Sequence, residues 1–424
     1  MAPPGDRVIF GRRYPPYPIR SALPLIRRKH PMEYRIKHQF GVEDEAFLQT
    51  MHALTGTPIE QGNRVDVLEN GVRFFPSMLA AIRAAKRSIT METYIYWDGE
   101  TARMFAEALA ERARAGVDVK IILDAVGSAP MSRSLIAFLR KNGVDALWYH
   151  PIRWYTLSRV NHRTHRKLLI VDGRVGFTGG AGIADYWQGD ADSPDHWRET
   201  QVRIEGPAVT QMQYAFMDNW IKAGGLIPTG LDYYPRVERA GDVPVHVIKS
   251  SPSEGVSTVK VFYALALVSA RRSVSISNAY FIPDDDAIRA LEGAVRRGVE
   301  VRVIVPGRWT DVAIVRQASR WHYERLLRRG IRIFEYQGTM MHSKTMAVDG
   351  LWTTIGSSNF DERSFRLNDE VNVGIYDAGV AGEMEAMFAK DLARSVEITL
   401  GRWKRRSWLA RAKEAVGGFL KPQL

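Results

Sequence analysis

Residues Met341–Asn359, MHSKTMAVDGLWTTIGSSN, decide the fold of this chain. Within them, His342 and Lys344 stand two positions apart, four residues separate the lysine from Asp349, and six more precede Gly356–Asn359. In an extended strand, side chains at positions i and i+2 point to the same face. The stretch therefore predicts a strand that presents an imidazole beside an ammonium group, continues as a buried apolar run and ends in a turn.

A second copy of this pattern lies upstream. His165 and Lys167 are again two positions apart, four residues precede Asp172, and six more precede Gly179–Gly182. Two copies of H-x-K-x4-D-x6-G in one chain indicate an internal duplication. The copies differ at their ends: Gly182 stands where the other copy has Asn359, so one carboxamide is missing.

The residue types in both copies suit chemistry on a phosphate. The glycine-containing turn that closes each copy can aim backbone N–H groups at an anion. One imidazole must be neutral to attack phosphorus, and the other must be protonated to supply the proton of the leaving alcohol. Lys167 and Lys344 would neutralise the non-bridging oxygens, which is an electrostatic role that requires no metal.

Each motif is followed by a carboxylate in a shared context. Glu199 begins E-T-Q-V-R-I and Glu370 begins E-V-N-V-G-I. Neighbouring lysines depress the pKa of a histidine, whereas a carboxylate restores it and orients the ring. Asp172 and Asp349 precede turns and are expected to be structural, bonding turn amides or neighbouring groups. Asn359 is expected to donate its amide to phosphate.

At these residues the chain resembles the phospholipase D superfamily, whose members carry the H-x-K motif twice or once per subunit. Within that superfamily it is most similar to the bacterial cardiolipin synthases. Three stretches carry the narrower resemblance: NHRTHRKLLIVDG at Asn161–Gly173, WRETQVRIEGPAV at Trp197–Val209 and SSNFDERSFRLNDEVN at Ser357–Asn372. The resemblance runs from about Arg64 to about Leu400 and so covers most of the chain.

The resemblance implies a shared catalytic site with no metal and no cofactor. Its expected members are His165, Lys167, Asp172, Glu199, His342, Lys344, Asp349, Asn359 and Glu370. A downstream acidic residue would hold the histidine nitrogen that faces away from the phosphate. By resemblance, the first-half histidine is the nucleophile and the second-half histidine is the acid and then the base. The residues alone leave that order open.

Apolar periodicity predicts an α/β fold, because strands and helices alternate before each motif. We expect two duplicated α/β/α sandwich halves with mostly parallel sheets, pseudo-two-fold symmetry and an active site at their interface. The predicted divisions are a basic N-terminal extension (1–60), a first half (61–225), a second half (226–400) and a basic amphipathic C-terminal tail (401–424). Helices are predicted over Asp311 to Arg329 and over Val380 to Ile398.

Aromatic and basic residues are expected around the mouth of the site. The segment His150 to His165 mixes arginines with Trp154 and Tyr155 and could seat a lipid headgroup or stack nucleobases. An apolar wall is expected from aromatic residues at strand ends, namely Tyr94, Tyr96, Trp97, Tyr280 and Phe281. Each of these residue types occurs more often in a core than in a substrate contact.

Charge and hydropathy favour an acidic partner at a membrane surface. The 424 residues carry a net charge of +12 and contain no cysteine, which fits a reducing compartment. No secretory signal and no run of about 20 apolar residues is visible, so membrane contact is expected to be peripheral, on the cytoplasmic side. The tail could form an interfacial helix or dock on the body.

The favoured interpretation is a phosphatidyltransferase that makes cardiolipin from two phosphatidylglycerols through a phosphatidyl-histidine. Its partners would be anionic phospholipid and a membrane surface; the residues leave the oligomeric state open. One alternative keeps the chemistry but admits water, which gives a phospholipase D. Another is a phosphodiesterase acting on nucleic acid, which the basic charge permits. A non-catalytic membrane scaffold is disfavoured because both motifs retain histidine and lysine.

Overall fold

The computed structural model describes residue 36 and residues 40–151, 161–252, 257–408, 414, 415 and 417. The helices are α1 Glu45–Thr55, α2 Gly71–Ala84, α3 Glu100–Arg114, α4 Arg133–Lys141, α5 Val209–Lys222, α6 Thr258–Ser269, α7 Asp285–Arg296, α8 Ala313–Trp321, α9 Tyr323–Arg328, α10 Glu362–Arg366, α11 Ala378–Ala393 and α12 Leu400–Lys404. The strands are β1 Glu60–Glu69, β2 Ser88–Thr93, β3 Asp118–Asp124, β4 Asp145–Tyr149, β5 Leu168–Val171, β6 Val175–Gly179, β7 Thr200–Glu205, β8 Val243–Ser250, β9 Ser273–Asn278, β10 Glu300–Pro306, β11 Arg332–Tyr336, β12 Lys344–Val348, β13 Trp352–Gly356, β14 Glu370–Tyr376 and β15 Ser395–Ile398.

All of these strands form one sheet. Its two sides, read outward from the centre, have equivalent strand orders. On one side the order is β1-β7-β6-β5-β2-β3-β4, and on the other it is β8-β14-β13-β12-β9-β10-β11-β15. The central strands β1 and β8 pair antiparallel, with Glu60 opposite Val245 and Asn63 opposite Val243. The described residues from Ile36 onward belong to one compact unit. The predicted division between residues 225 and 226 falls between α5 and β8, and it stays a prediction.

The predicted α/β class is confirmed, but the expectation of mostly parallel strands is wrong. Parallel pairing is confined to β2-β3-β4 and β9-β10-β11, the strands that helices connect. The remaining pairs are antiparallel. The reason lies in connection length: three residues join β5 to β6 and β12 to β13, and a turn that short can link only antiparallel neighbours.

Helices cover the sheet and join its two sides through a shared core. Helices α2 and α3 pack on the first side and α6 and α7 on the second. Helix α5 of the first half and α11 of the second lie over the centre, where Phe216 and Met384 belong to one cluster with residues of β7 and β14. Because this cluster crosses the line between the halves, its burial stabilises the arrangement that brings the two motifs together.

Two predicted helices end differently from expectation. The helix predicted over Asp311 to Arg329 is divided into α8 and α9 at His322. The helix predicted to reach Ile398 stops at Ala393, because the following residues form β15 along the open edge of β11. An exposed edge strand is a hazard for aggregation, and β15 covers it.

Part of the predicted C-terminal tail docks on the body. Trp403 is buried, with its ring 5.0 Å from that of Tyr323 and the guanidinium of Arg320 4.7 Å from its centroid. Glu414 is buried and pairs with Arg320 and Arg406. Trp408, by contrast, is 74% exposed. Residues 409–413, 416 and 418–424 of the tail lie outside the described residues, as do residues 1–35 of the N-terminal extension.

The motif aspartates fasten the motif hairpin to the start of a neighbouring strand. The carboxylate of Asp349 accepts hydrogen bonds from the backbone N–H groups of Arg271, Arg272 and Ser273 at 2.7–2.8 Å. Asp172 does the same in the first half, at the start of β2. Both aspartates have positive φ, 52° and 55°. Both aspartates are therefore structural and bond neighbouring backbone amides at the start of another strand, not the amides of their own turn.

Replacing Asp349 by alanine should lower the free energy of unfolding by about 3 kcal/mol, because three charge-assisted hydrogen bonds are lost and alanine disfavours positive φ. Urea unfolding followed by circular dichroism measures this change. The matched control is Asp349→Asn, which keeps an acceptor and tolerates positive φ, and it should cost only about 1 kcal/mol. Equal losses in the two variants would contradict this role.

Candidate active site

Each H-x-K segment is held by backbone bonds from the opposite half of the chain. The N–H of His165 donates to the carbonyl of Asp369 at 2.9 Å, and the N–H of His342 donates to the carbonyl of Arg198 at 2.8 Å. In both cases the acceptor immediately precedes the downstream glutamate of the other half. Each histidine is therefore placed beside the carboxylate that follows the other motif.

The first histidine pairs with Glu370. Its Nδ1 lies 3.1 Å from both carboxylate oxygens, and Ser357 Oγ donates to Oε2 at 2.5 Å. Burial lowers the pKa of His165 to about 4, against the opposing effect of Glu370, and the charge on Lys167 lowers it further. Burial alone would raise the pKa of Glu370, but His165, Lys167 and Ser357 together bring it down to about 2. This carboxylate is ionised and this imidazole is neutral at pH 7.

The second histidine pairs with Glu199, and its surroundings differ. His342 Nδ1 lies 2.6 Å from Oε2, and the other carboxylate oxygen accepts from the N–H of Thr200 at 2.8 Å. The position equivalent to Ser357 is Gly180, where a Cβ would lie 2.3 Å from Glu199 Oε2, so no hydroxyl fits there. Burial raises the pKa of Glu199 to about 7, only partly offset by Lys344. Burial and Lys344 hold the pKa of His342 well below its usual value.

Both lysines fold back on their own histidine. Lys167 Nζ donates to the carbonyl of His165 at 2.7 Å, and Lys344 Nζ donates to that of His342 at 2.5 Å. Burial lowers the pKa of Lys167 to about 7, with Lys344 adding to the effect, and burial likewise lowers the pKa of Lys344. An ammonium group has three donors, so each lysine keeps donors for an anion. A bound phosphodiester would favour the charged form of both.

The two histidines line one cavity of about 410 Å³. Its lining comes from both halves of the chain: Tyr94, Ile95, Trp97, Arg163, His165, Lys167, Trp187, Trp197, Tyr280, Asp311, Val312, Val315, His342, Asn359, Asp361, Arg363, Ser364 and Asn368. Among the predicted catalytic residues, His165, Lys167, His342 and Asn359 line it directly. Glu199 and Glu370 lie behind the histidines, and Lys344 lies beside His342, with its Nζ 3.0 Å from Nδ1 and 3.2 Å from Nε2 of the ring. The predicted shared site is thus a single pocket.

Asp172 and Asp349 do not belong to this pocket. They lie at the amino-terminal ends of β2 and β9, whereas Tyr94 and Tyr280 in the cavity wall follow the carboxyl ends of the same strands. The prediction that grouped the two aspartates with the catalytic residues is corrected by this placement. Their contribution to the site is to fix the hairpins that carry the histidines.

Aromatic rings surround each histidine. Trp187 and Trp197 lie with ring centroids 5.2 and 5.4 Å from that of His342, and Tyr94 lies 5.3 Å from His165. Of the predicted apolar wall, Tyr94, Trp97 and Tyr280 line the cavity. Tyr96 and Phe281 do not, because both are fully buried in the core under the helices.

The sequence did not reveal the polar network behind the first motif. Arg166 is fully buried, donates to Asp218 and lies 3.8 Å from Asp369, which also accepts from the hydroxyl of Tyr149. Glu92 accepts from Thr164, and burial raises its pKa to about 7. The sequence offered one sign of this network, namely the charged residues Arg166 and Glu92 next to or within apolar strands.

The segment before the first motif and the possibility of a metal site can be described only in part. Residues 152–160 of the basic and aromatic segment before the first motif lie outside the described residues, and of its arginines Arg163 lines the cavity. Among the residues that the structure describes, no group of three or more histidine, aspartate or glutamate side chains could hold a metal ion.

Comparison with known proteins finds relatives that match most of this chain. The family model described as "Cardiolipin synthase, PLD-like domain" matches residues 78–220 and 264–392. A cardiolipin synthase of Geobacillus sp. (strain WCH70) is 32% identical, with the match covering 98% of this chain and 85% of that protein. Cardiolipin synthase 2 of Bacillus anthracis is 35% identical over 84% of this chain and 70% of that protein.

Solved structures resemble the fold at low sequence identity. Phosphatidylserine synthase of Haemophilus influenzae Rd KW20 superposes with a TM-score of 0.67 at 14% identity, covering 89% of this chain and 97% of that one. Polyphosphate kinase of Porphyromonas gingivalis gives a TM-score of 0.54, also at 14% identity, over 85% of this chain and 53% of that one. At such identities the likeness concerns the fold alone.

Proposed function

The chain belongs to the cardiolipin synthase family with phospholipase D-like domains, and from this premise we propose that it is a phosphatidyltransferase that makes cardiolipin from two phosphatidylglycerols. One observation carries the proposal. Two histidines from the two motifs line one cavity, and each has its Nδ1 against a buried glutamate of the opposite half. The Nε2 of each ring is then the atom available for a phosphodiester.

In the first step, His165 Nε2 attacks the phosphorus of phosphatidylglycerol. A P–N bond forms, the P–O bond to the headgroup glycerol breaks, and His342 gives its proton to the departing oxygen. The products are free glycerol and a phosphatidyl group on His165. Glu370 accepts the Nδ1 proton in a hydrogen bond and stabilises the positive charge that develops on the ring.

In the second step, His342 takes the proton from a glycerol hydroxyl of a second phosphatidylglycerol. That oxygen attacks phosphorus, the P–N bond breaks, and cardiolipin leaves with His165 neutral again. In both steps the Lys167 and Lys344 ammonium groups stabilise the charge on the non-bridging oxygens. The same residues serve both directions of proton transfer, as microscopic reversibility requires.

The unequal surroundings of the two glutamates support this division of roles. Ser357 helps to keep Glu370 ionised, which suits a neutral nucleophile at His165. Glu199 has Gly180 in place of that serine and a pKa near 7, so the pair of Glu199 and His342 retains a shared proton at neutral pH. A general acid needs that proton.

This division predicts a bell-shaped dependence of kcat/KM on pH. Activity should fall below about pH 4 as His165 becomes protonated and loses its nucleophilic lone pair. It should also fall above about pH 7 as the Glu199–His342 pair loses its proton and Lys167 its charge. Initial rates on mixed micelles between pH 3 and 9 measure the profile. A rate that rises from pH 7 to pH 9 would contradict it.

Association with an anionic membrane surface fits the same proposal. No helix in the part of the chain that the structure describes is long and apolar enough to span a bilayer. The net charge of +12 and the exposed indole of Trp408 support peripheral contact with anionic lipid. We place the enzyme on the cytoplasmic side of the membrane as part of this proposal.

The proposal is tested by adding the purified chain to phosphatidylglycerol vesicles and following lipids by mass spectrometry. Cardiolipin and free glycerol in equal amounts are expected. Phosphatidic acid as the main product would instead show a hydrolytic phospholipase D. A parallel incubation with single-stranded DNA tests the nuclease alternative. Cleavage of the DNA without turnover of the lipid would overturn the assignment as a phosphatidyltransferase.

A further inference from the structure

The active-site cavity has an acidic side that phosphate binding does not explain. Asp311, in the loop after β10, and Asp361, at the start of α10, both line it. The hydroxyl of Tyr280 donates to Asp311, and the N–H of Ser364 donates to Asp361 at 2.7 Å. Asp361 is only 2% exposed. Carboxylates repel a phosphodiester, so these two must serve another part of the substrate.

Two buried amides add acceptors to the same cavity. The side-chain oxygens of Asn359 and Asn368 are buried and have no hydrogen-bond partner among the described residues, although both residues line the pocket. A buried polar atom without a partner is destabilising, so such atoms in a pocket point to a ligand that supplies donors. The oxygens of a phosphodiester only accept hydrogen bonds, so they cannot supply donors to these amide oxygens. If an amide were flipped, its NH₂ group would replace the oxygen, but the two carboxylates would still be acceptors.

We propose that Asp311, Asp361, Asn359 and Asn368 form a subsite for the hydroxyl groups of a polyol headgroup. The proposal rests on the proposed function, in which a glycerol leaves in the first step and a glycerol hydroxyl attacks in the second. The two glycerols pass through the same place, because the leaving oxygen and the attacking oxygen both exchange a proton with His342. The subsite selects this glycerol over water as the acceptor.

The position of Asp311 relative to the general acid supports this assignment. Its charge acts on both His342 and Lys344, raising the pKa of each against the effect of burial. Asp311 and His342 line the same cavity, so a hydroxyl held by Asp311 lies in the pocket that contains the imidazole that removes its proton. The neighbouring wall is apolar and consists of Val312, Val315 and Ile95. Its side chains cannot bond a hydroxyl, whereas those of the acidic side can.

The test is Asp311→Asn in the full-length chain. This side chain is exposed, so the substitution preserves its size and does not disturb a core. Phosphatidylglycerol vesicles are supplied with deuterium-labelled glycerol or with ethanolamine at equal concentration, so that labelled phosphatidylglycerol, phosphatidylethanolamine and phosphatidic acid are counted separately by mass spectrometry. The ratio of transfer to glycerol hydroxyls over hydrolysis should fall about tenfold, the usual effect of losing a hydrogen bond to a charged group. Asp361→Asn, which keeps a helix-capping oxygen, should lower the same ratio.

Asp242→Asn is the matched control, because Asp242 is an exposed carboxylate outside the cavity that pairs with Arg239. An unchanged ratio in both cavity variants would overturn the subsite. A larger loss of transfer to ethanolamine than to glycerol would also overturn it, since the carboxylates would then select an ammonium group. A wild-type chain that transfers phosphatidyl groups to no alcohol would instead refute the proposed function itself.

Discussion

Replacing His165 by alanine should abolish cardiolipin synthesis, with kcat/KM reduced at least about 10⁴-fold, because the nucleophile that forms the covalent intermediate is then missing. His342→Ala should lower the rate by about 10²–10⁴-fold, the range expected for a general acid. His52→Ala, an exposed histidine in the last turn of α1, serves as the control. Cardiolipin mass after incubation with phosphatidylglycerol vesicles measures each variant.

A p-nitrophenyl ester of phosphatidic acid separates the two roles. Nitrophenolate needs no proton to leave, so His342→Ala should release one equivalent per enzyme in a burst and then stall for lack of a base. His165→Ala should give no burst, since nothing attacks phosphorus. A burst from His165→Ala together with none from His342→Ala would reverse the assignment of nucleophile and acid.

The second large effect concerns the crossed pairing of histidine and glutamate. Glu370→Gln should reduce kcat by about 10³–10⁴-fold and remove the nitrophenolate burst, because an amide cannot stabilise the charged ring of His165. Glu199→Gln should keep the burst and slow the second step, because Glu199 serves His342. If each glutamate served the histidine of its own half, the two variants would exchange behaviour.

Interpretation of these variants requires that each protein is folded. Both glutamates are completely buried, and the amide keeps their volume, so the isosteric change tests charge more than packing. Thermal unfolding by circular dichroism provides the check. A variant that loses activity with an unaltered melting temperature has lost chemistry, whereas a variant that melts earlier needs correction for the folded fraction.

The residues of the site were predictable from sequence because the motif repeats. Spacing placed His165 and His342 in equivalent positions and identified Glu199 and Glu370 through their shared E-x-x-V-x-I context. The crossing of the pairs was not predictable, since it depends on backbone bonds between His165 and Asp369 and between His342 and Arg198. Such contacts join residues more than 140 positions apart, where local patterns carry no information.

The α/β class was predictable from sequence, but the predicted pairing of mostly parallel strands was wrong. Strand pairing, like the crossed contacts of the site, depends on residues that are distant in the chain. Alternating strands and helices predicted parallel units correctly around β3 and β10. The short turns at Asp172 and Asp349 allow only antiparallel neighbours, which sets the direction of the strands they join. Tyr96 and Phe281 look in sequence like the aromatic residues that line the cavity, but both are packed in the core.

The acidic side of the cavity escaped prediction because Asp311 lies about 50 positions before the other three members in the chain. Asp311 lies in a loop with no motif, and Asp361 reads from sequence as a helix cap, which it also is. Only the folded arrangement places them with Asn359 and Asn368 in one pocket. Loop residues that approach a site from several elements are visible only once the scaffold is known.

The most direct measurement of the central claim is to locate the covalent intermediate. Glu199→Gln is mixed with phosphatidylglycerol and the p-nitrophenyl ester of phosphatidic acid, whose leaving group needs no proton, then quenched at alkaline pH, where a phosphoramidate survives, and digested for peptide mass spectrometry. We expect a phosphatidyl group on the peptide that contains His165 and none on the peptide that contains His342. A modified His342, or turnover to cardiolipin with neither histidine ever modified, would contradict the mechanism.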